Sequence, residues 1–171
     1  MSLVANISPK IDWTYIDEDD FGGETRNLRS YIDALVTLTD GSGSSQASKL
    51  FIGRRSIANV STTDDIDLAG GVTDVFGNTL TFTAIKAILI YNRATTDGEE
   101  LRVGGAASNP ITSLFAGSAT AKDLIPASGC WLRTAPLTGF VVTAGSADVL
   151  RVQHTGGAAT TITYDIIVIG V

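Results

Sequence analysis

The sequence predicts an all-β fold, a sandwich or a barrel, and three observations carry that expectation. First, the apolar stretches are short and rich in Val, Ile, Thr and aromatic residues: SKLFIGRRSIANV (48–60), TLTFTAIKAILIYN (79–92), CWLRT (130–134), GFVVTAG (139–145), DVLRVQH (148–154) and TTITYDIIVIGV (160–171). Such residues suit a pleated, half-buried surface. Second, turn chemistry fills the gaps: DGSGSS at 40–45, then TTDD, AGG and DVFGN within 61–78, then TTDGEE at 95–100. Several short strands divided by such turns indicate a sandwich or barrel. Third, no period of 20 to 50 residues recurs, which argues against a solenoid or propeller. At 171 residues the chain suits one domain and can bury a core without covalent staples.

Taken in order, residues 1–24 read as an extended, acidic N-terminal arm, and residues 25–171 as the β domain. In the arm, Ile11, Trp13 and Tyr15 alternate with polar partners, a strand signal. IDEDDFGGE then reads as a solvated loop. A calcium loop is the alternative there: Asp17, Asp19 and Gly22 fit the first, third and sixth positions, but Phe21 and Leu28 break the fifth and twelfth. Residues 25–39 carry two patterns. Leu28, Tyr31, Ile32, Leu35 and Val36 sit at helical spacing, whereas Ile32, Ala34, Val36 and Leu38 alternate as in a strand. The Val and Thr content favours a strand for the second half, with a helical turn around 26–31 left open. Gly53 suggests a bulge or a close approach. Residues 85–91 are apolar on both faces, as in a central strand covered on both sides. TTDGEE predicts a hairpin centred on Asp97 and Gly98, with ELRVGG as the returning strand. ITSLF (111–115) is a short separate segment.

The chemistry-bearing residues are few. Cys130 is the only cysteine, so one chain can form neither an internal disulfide nor a cysteine metal cluster. It reads as a small buried hydrophobe beside Trp131. His154 is the only histidine, so any Ser-His-Asp or Cys-His site would have to use it. It reads instead as a surface or hydrogen-bonded histidine at a strand end. Asp64, Asp65 and Asp67 read as turn and capping residues. Asp148 and Asp165 fit strand edges or acceptors for a neighbouring loop. In LRVGGAASNP (101–110) the glycines lack the lysine of a phosphate loop, and Pro110 disfavours the helix a dinucleotide loop needs. Gly104 and Gly105 therefore read as a tight corner. Trp13, Tyr15 and Trp131 fit a core margin or an interface, or sugar stacking if exposed. No catalytic, cofactor-binding or metal-binding residue is assigned, and no enzyme activity is expected; a hydrolase on this scaffold would need two facing carboxylates in a cleft.

Charge narrows the partners. The net charge is −6, with 15 acids against 8 bases in residues 1–100 and 3 against 4 in residues 101–171. An acidic chain without a Lys/Arg stripe repels phosphate backbones, so no nucleic-acid partner is expected. MSLVANISPK lacks the apolar run of a secretory signal, and AILIY and IIVIGV are too short to span a bilayer, so no membrane association is expected.

Five collinear blocks resemble a family of small proteins encoded by tailed bacteriophages and prophages. They are DGSGSSQASKLF (40–51), RRSIANVSTTDDIDLAGGVTDVFGNTLTFTAIKAILI (54–90), RVGGAASNPI (102–111), TAGSADVLRV (143–152) and TITYDIIVIG (161–170). Family members read roughly DG-T-G-x-x-Q-A, R-T-L-A, D-L-A-G-x-L-T-D-x-F-G, V-G-G-A-A-x-N, T-A-G-x-x-D-x-L and Y-D-I-V-I-G. The chain departs at Ser42, where Thr is usual, and at Ile57, where Leu is frequent. The resemblance covers residues 40–171 and brings no catalytic residues. It implies a virion structural protein, a capsid decoration or cement protein on the shell surface that is assembled in the host cytoplasm. It also implies a jelly-roll-like β-sandwich, a homotrimer, and the major capsid protein as partner. The alternative is a tail receptor-binding or glycan-binding β module.

Overall fold

The alternation in the sequence becomes sixteen strands and one 3-10 turn in the computed structural model, which describes residues 2–18, 25–59, 61–156 and 160–171. In chain order the first strands are β1 (Ala5–Ile7), β2 (Lys10–Glu18), β3 (Thr25–Asp33), β4 (Val36–Asp40), β5 (Gln46–Ala47) and β6 (Lys49–Ile57). There follow β7 (Thr63–Asp67), β8 (Ala69–Thr73), β9 (Thr79–Thr81), β10 (Ala84–Asn92) and β11 (Leu101–Gly104). After the 3-10 turn Ser113–Phe115 come β12 (Lys122–Ile125), β13 (Cys130–Thr134), β14 (Phe140–Val141), β15 (Val149–His154) and β16 (Ile162–Gly170). No α-helix occurs among the described residues, so none is long and apolar enough to cross a membrane.

Two antiparallel sheets dominate. The larger has the order β13-β10-β16-β6, with β14 pairing the start of β10. The smaller has the order β12-β11-β15-β7. The chain alternates between them: β6 and β10 lie in the larger sheet, β7 and β11 in the smaller, and β15 and β16 again in different sheets. One core joins both. Phe51, Ile88, Ile90, Tyr164, Ile166 and Val168 come from the larger sheet, and Ile66, Leu101, Val103, Ile125, Leu150 and Val152 from the smaller. Period-two alternation sends these residues inward and their chain neighbours outward.

Apart from Lys86, which is buried and donates to the Leu137 carbonyl at 2.9 Å, residues 85–91 are apolar on both faces because the outer face of β10 has its own cover. Ala87 and Ile169 are buried in a second, smaller cluster with Leu38 and Ala47, packed by Leu3, Ala5, Ile7 and Leu50. The N-terminal strand β1 pairs with β4 and lies over this face. The chain from 79 to 92 is two strands rather than one: Phe82 and Thr83 leave the ladder of β9 with β8, and Thr83 N–H donates to the Val171 carbonyl at 2.7 Å. Gly53 is not a bulge, since the β6–β16 register runs unbroken through it. It is a close approach: a Cβ there would lie 3.0 Å from the Phe51 ring.

Three expectations are corrected. The helical turn left open at 26–31 is strand, because β3 pairs with β2 along all nine residues, from Lys10–Asp33 to Glu18–Thr25. The loop expected over residues 16–24 starts later than that, since β2 runs to Glu18, and the rest of it, 19–24, lies outside the described residues. Asp97 and Gly98 do form a turn, with Glu99 N–H donating to the Thr96 carbonyl at 3.2 Å, but it does not close a hairpin. It carries the chain from β10 in the larger sheet to β11 in the smaller. Buried Asn92 holds this crossover: its Nδ2 donates to the carbonyls of Glu99 (2.9 Å), Pro126 (3.1 Å) and Ile125 (3.3 Å), and its Oδ1 accepts from Ala94 N–H at 3.0 Å.

Gly98 has φ +81° with open space where a Cβ would stand. Gly98→Val therefore carries only the backbone penalty of the left-handed region, about 1–2 kcal/mol. A thermal melt lowered by roughly 2–8 °C is expected for a domain of this size. An unchanged melting temperature would contradict the left-handed turn.

Candidate functional site

The residues with chemical potential do not converge. His154 is fully buried at the end of β15, its backbone paired with Leu101 in a row that also contains Ile125, and neither ring nitrogen has a hydrogen-bond partner. The surface or hydrogen-bonded position expected for it is thus corrected: strand alternation turned it inward with Leu150 and Val152. Cys130 is also corrected. It is exposed, because Trp131 takes the inward position of β13 and the alternation puts Cys130 on the outer face opposite Tyr91. Trp131 itself is packed. Its ring stacks on Phe115 with centroids 5.8 Å apart, and its Nε1 donates to Asp123 at 2.7 Å. Trp13 is 39% exposed on β2. The side chain of Tyr15 lies outside the described residues, as do Asp19 and Gly22 of the calcium-loop alternative.

The five aspartates singled out in the sequence, Asp64, Asp65, Asp67, Asp148 and Asp165, are spent on structure. Asp64 and Asp65 are strand residues of β7, not turn residues as expected, while Asp67 caps the β7–β8 turn by accepting from Ala69 N–H at 2.8 Å. Asp65 holds Arg151 through two contacts of 2.7 Å. Asp64 points inward, accepts from Arg55 at 2.5 and 2.7 Å, and accepts from the Tyr164 hydroxyl at 2.8 Å across the core. Asp165 on the outer face pairs with Arg54 at 2.7 Å and with Arg93 at 2.8 Å. Asp148 accepts from Gly145 N–H and folds the 143–148 turn. Among the described residues no group of three or more His, Cys, Asp or Glu side chains is placed to hold a metal.

The Asp64 cluster has a pH consequence. Burial pushes the Asp64 carboxyl up, but the hydrogen bonds from Arg55 and Tyr164 outweigh it and hold the group below the usual carboxylate range. Burial, then the Asp64 charge, pushes the Tyr164 hydroxyl up, so it stays protonated as donor. A depressed carboxylate stabilises the fold fully above its unfolded value of about 3.9, and this contribution is lost as pH falls through the lower folded value. Asp64→Asn should lower stability near neutrality by about 2–4 kcal/mol, since Arg55 loses its counter-charge, and should flatten the acid limb of stability against pH. Tyr164→Phe should cost about 1.5–3 kcal/mol, because the lost hydrogen bond is to a charged acceptor. Chemical denaturation of the three proteins across pH checks both; equal acid limbs would show that Asp64 does not carry the linkage.

What remains is a surface. On the outer face of the larger sheet, register places Ile52, Ile167, Leu89 and Leu132 side by side across four strands. Ile52 is 52% exposed. Beside this row Ile7 and Pro9 of the N-terminal segment complete an apolar groove of about 350 Å³ over Leu89, Leu132 and Ile167. The next row is Arg54, Asp165, Tyr91 and Cys130, with the Arg93 guanidinium 6.0 Å from the Tyr91 ring centre. At the rim of the groove the β2–β3 hairpin begins, clamped by Ser8 Oγ to Asp33 at 2.6 Å and by Ala34 N–H to the Pro9 carbonyl at 3.3 Å. Neither of its strands joins another sheet. Sequence reasoning missed the row because it depends on which strands are neighbours; alternation in each strand was the only signal available.

The glycines of LRVGGAASNP form the expected corner, with φ +108° at Gly104 and +65° at Gly105. The segment packed against them belongs to the same chain: the Phe115 ring and Ala121 at Gly104, and the Lys122 side chain at Gly105. Compared with known proteins, no family model and no curated sequence matches the chain.

Proposed function

We propose that this chain is a non-catalytic structural protein of a tailed-phage virion, a jelly-roll capsid decoration protein that binds the outer shell, stabilises it and associates with itself. The observation that carries the fold assignment is strand order. Eight strands taken as β6, β7, β10, β11, β12, β13, β15 and β16 divide into sheets ordered first-eighth-third-sixth and second-seventh-fourth-fifth. That is the arrangement produced by rolling a two-stranded ribbon into two facing sheets, which is how a jelly roll manages its strand edges.

The family-like blocks support a structural role, because folding explains their residues. In DGSGSSQA, Gln46 Oε1 accepts from Gly43 N–H at 2.8 Å. In TDVFGN, Asp74 Oδ1 accepts from Phe76 and Asn78 N–H, each at 2.8 Å. VGGAASN is the corner beneath Phe115, TAGSAD is the turn held by Asp148, and YDIIVIG is the strand between β6 and β10. Each of these contacts is made within the chain. The acidic net charge suits the outside of a shell better than its DNA-facing side.

Gold-labelled antibody against this chain on intact virions tests the proposal. Label distributed over the head is the expected result, and label confined to the tail would overturn it.

A further inference from the structure

We propose that Asp97–Gly98 is a self-modification site, where the folded chain converts to isoaspartate through a cyclic imide, while the fold protects the same tripeptide elsewhere. This site lies outside the proposed function and does not depend on it.

The tripeptide Thr-Asp-Gly occurs twice, at 39–41 and at 96–98. In both, the residue after the aspartate has no side chain to hinder its amide nitrogen from approaching the carboxyl. Local sequence therefore makes the two sites alike, and the fold separates them.

At 96–98 the reacting groups are free and together. Asp97 and Gly98 are exposed and outside every strand. Gly98 N–H donates to Asp97 Oδ1 at 3.0 Å, so the nucleophile lies against the carboxyl it must attack. Among the described residues the Gly98 amide donates to no carbonyl, and the Asp97 carboxylate accepts from no other donor. A Cβ built on Gly98 meets nothing within 4 Å, which leaves room for the ring and for the longer backbone of the product.

At 39–41 the same groups are tied. Asp40 ends β4, in register with Ala47 of β5. Gly41 N–H donates to the Ala47 carbonyl at 3.3 Å, and Asp40 Oδ1 accepts from Leu3 N–H at 3.1 Å. The Gln46 side chain lies over Gly41, its Oε1 2.6 Å from a Cβ built there. Reaction would require the carboxyl to leave Leu3 and the amide to leave Ala47.

The step balances with water alone. The neutral carboxyl reacts: the Gly98 nitrogen bonds to Asp97 Cγ, and its proton leaves with the carboxyl hydroxyl as water. The resulting five-membered imide is then hydrolysed. Water adding at Cγ restores aspartate. Water adding at the Asp97 backbone carbonyl leaves the chain running through Cβ and Cγ, with a free carboxylate on Cα. Nothing is oxidised or reduced. The product lengthens the backbone by one carbon in the crossover from β10 to β11, beside the Glu99 carbonyl that Asn92 holds at 2.9 Å.

Ageing the folded chain in mildly acidic buffer tests this. Cleavage after Lys and Arg puts Asp97 in the peptide 94–102 and Asp40 in the peptide 30–49. An isoaspartyl peptide elutes apart from its parent at unchanged mass and accepts a methyl group from an isoaspartyl methyltransferase; fragmentation places it on the residue. Isoaspartate at Asp97 should exceed that at Asp40 by at least about tenfold, since a misplacement of about 1 Å can cost on the order of a hundredfold in rate. The same incubation in denaturant should bring the two sites to similar levels. Asp97→Glu keeps the charge, would need a larger ring, and should abolish the signal in 94–102. No isoaspartate at Asp97, equal accumulation at both sites in the folded chain, a preference for Asp97 that persists in denaturant, or a signal that survives Asp97→Glu would each overturn the proposal.

Discussion

Val168→Asp should give a chain that does not fold. Val168 is fully buried in β16, the strand between β10 and β6, with Ile88 and Phe51 as its cross-strand partners. An aspartate there would be ionised among aliphatic side chains with no cation to meet it, a cost that shifts its pKa or expels the strand. The loss should exceed about 5 kcal/mol, comparable with the whole stability of a domain, which is about 5–15 kcal/mol. Ile167→Asp is the control. One residue away, alternation turns position 167 to the outer face, half-buried beside Ile52. That protein should fold with a modestly lowered melt. Soluble, cooperatively melting Val168→Asp protein would show that β16 is not the buried centre of the sheet.

Gly104→Val should be the next most damaging change. A Cβ at Gly104 would stand 2.5 Å from the Ala121 carbonyl oxygen and 2.8 Å from the Phe115 ring, at φ +108°. The left-handed backbone costs about 1–2 kcal/mol, and overpacking against backbone adds about 1–3 kcal/mol. At roughly 2–4 °C per kcal/mol the melting temperature should fall by on the order of 10 °C. This exceeds the effect at Gly98, which has the same handedness but open space around it. A calorimetric scan comparing the two variants decides the matter, and equal losses would mean that the corner is not packed by Phe115.

The all-β class was legible because it rests on local quantities: β-branched content, period-two alternation and turn residues. The corner at Gly104 was legible for the same reason. What escaped depends on partners far away in sequence. TTDGEE looks like a hairpin turn, and nothing local says that β10 and β11 belong to different sheets; Asn92 settles that through carbonyls up to 34 residues away. Cys130 and Trp131 are adjacent, so one of them must face outward, and a one-residue choice of face set which. His154 took an inward position for the same reason. Asp64 looked like a turn residue because its neighbours Asp65 and Asp67 share its type, yet its partners Arg55 and Tyr164 lie 9 and 100 residues away. The outer-face row needed the order of four strands, which no single strand encodes.

The placement of β16 also governs how the protein must be made. Its neighbours β6 and β10 are translated long before it, and neither can close the larger sheet until residues 162–170 have emerged. During synthesis the nascent chain therefore displays two apolar strands with unpaired backbone, a hazard for association with other nascent chains. Contacts as distant as Lys49 with Gly170 also put this fold among the slower topologies. Stalled or proteolysed chains lacking β16 should collect as aggregate instead of accumulating as a smaller soluble form.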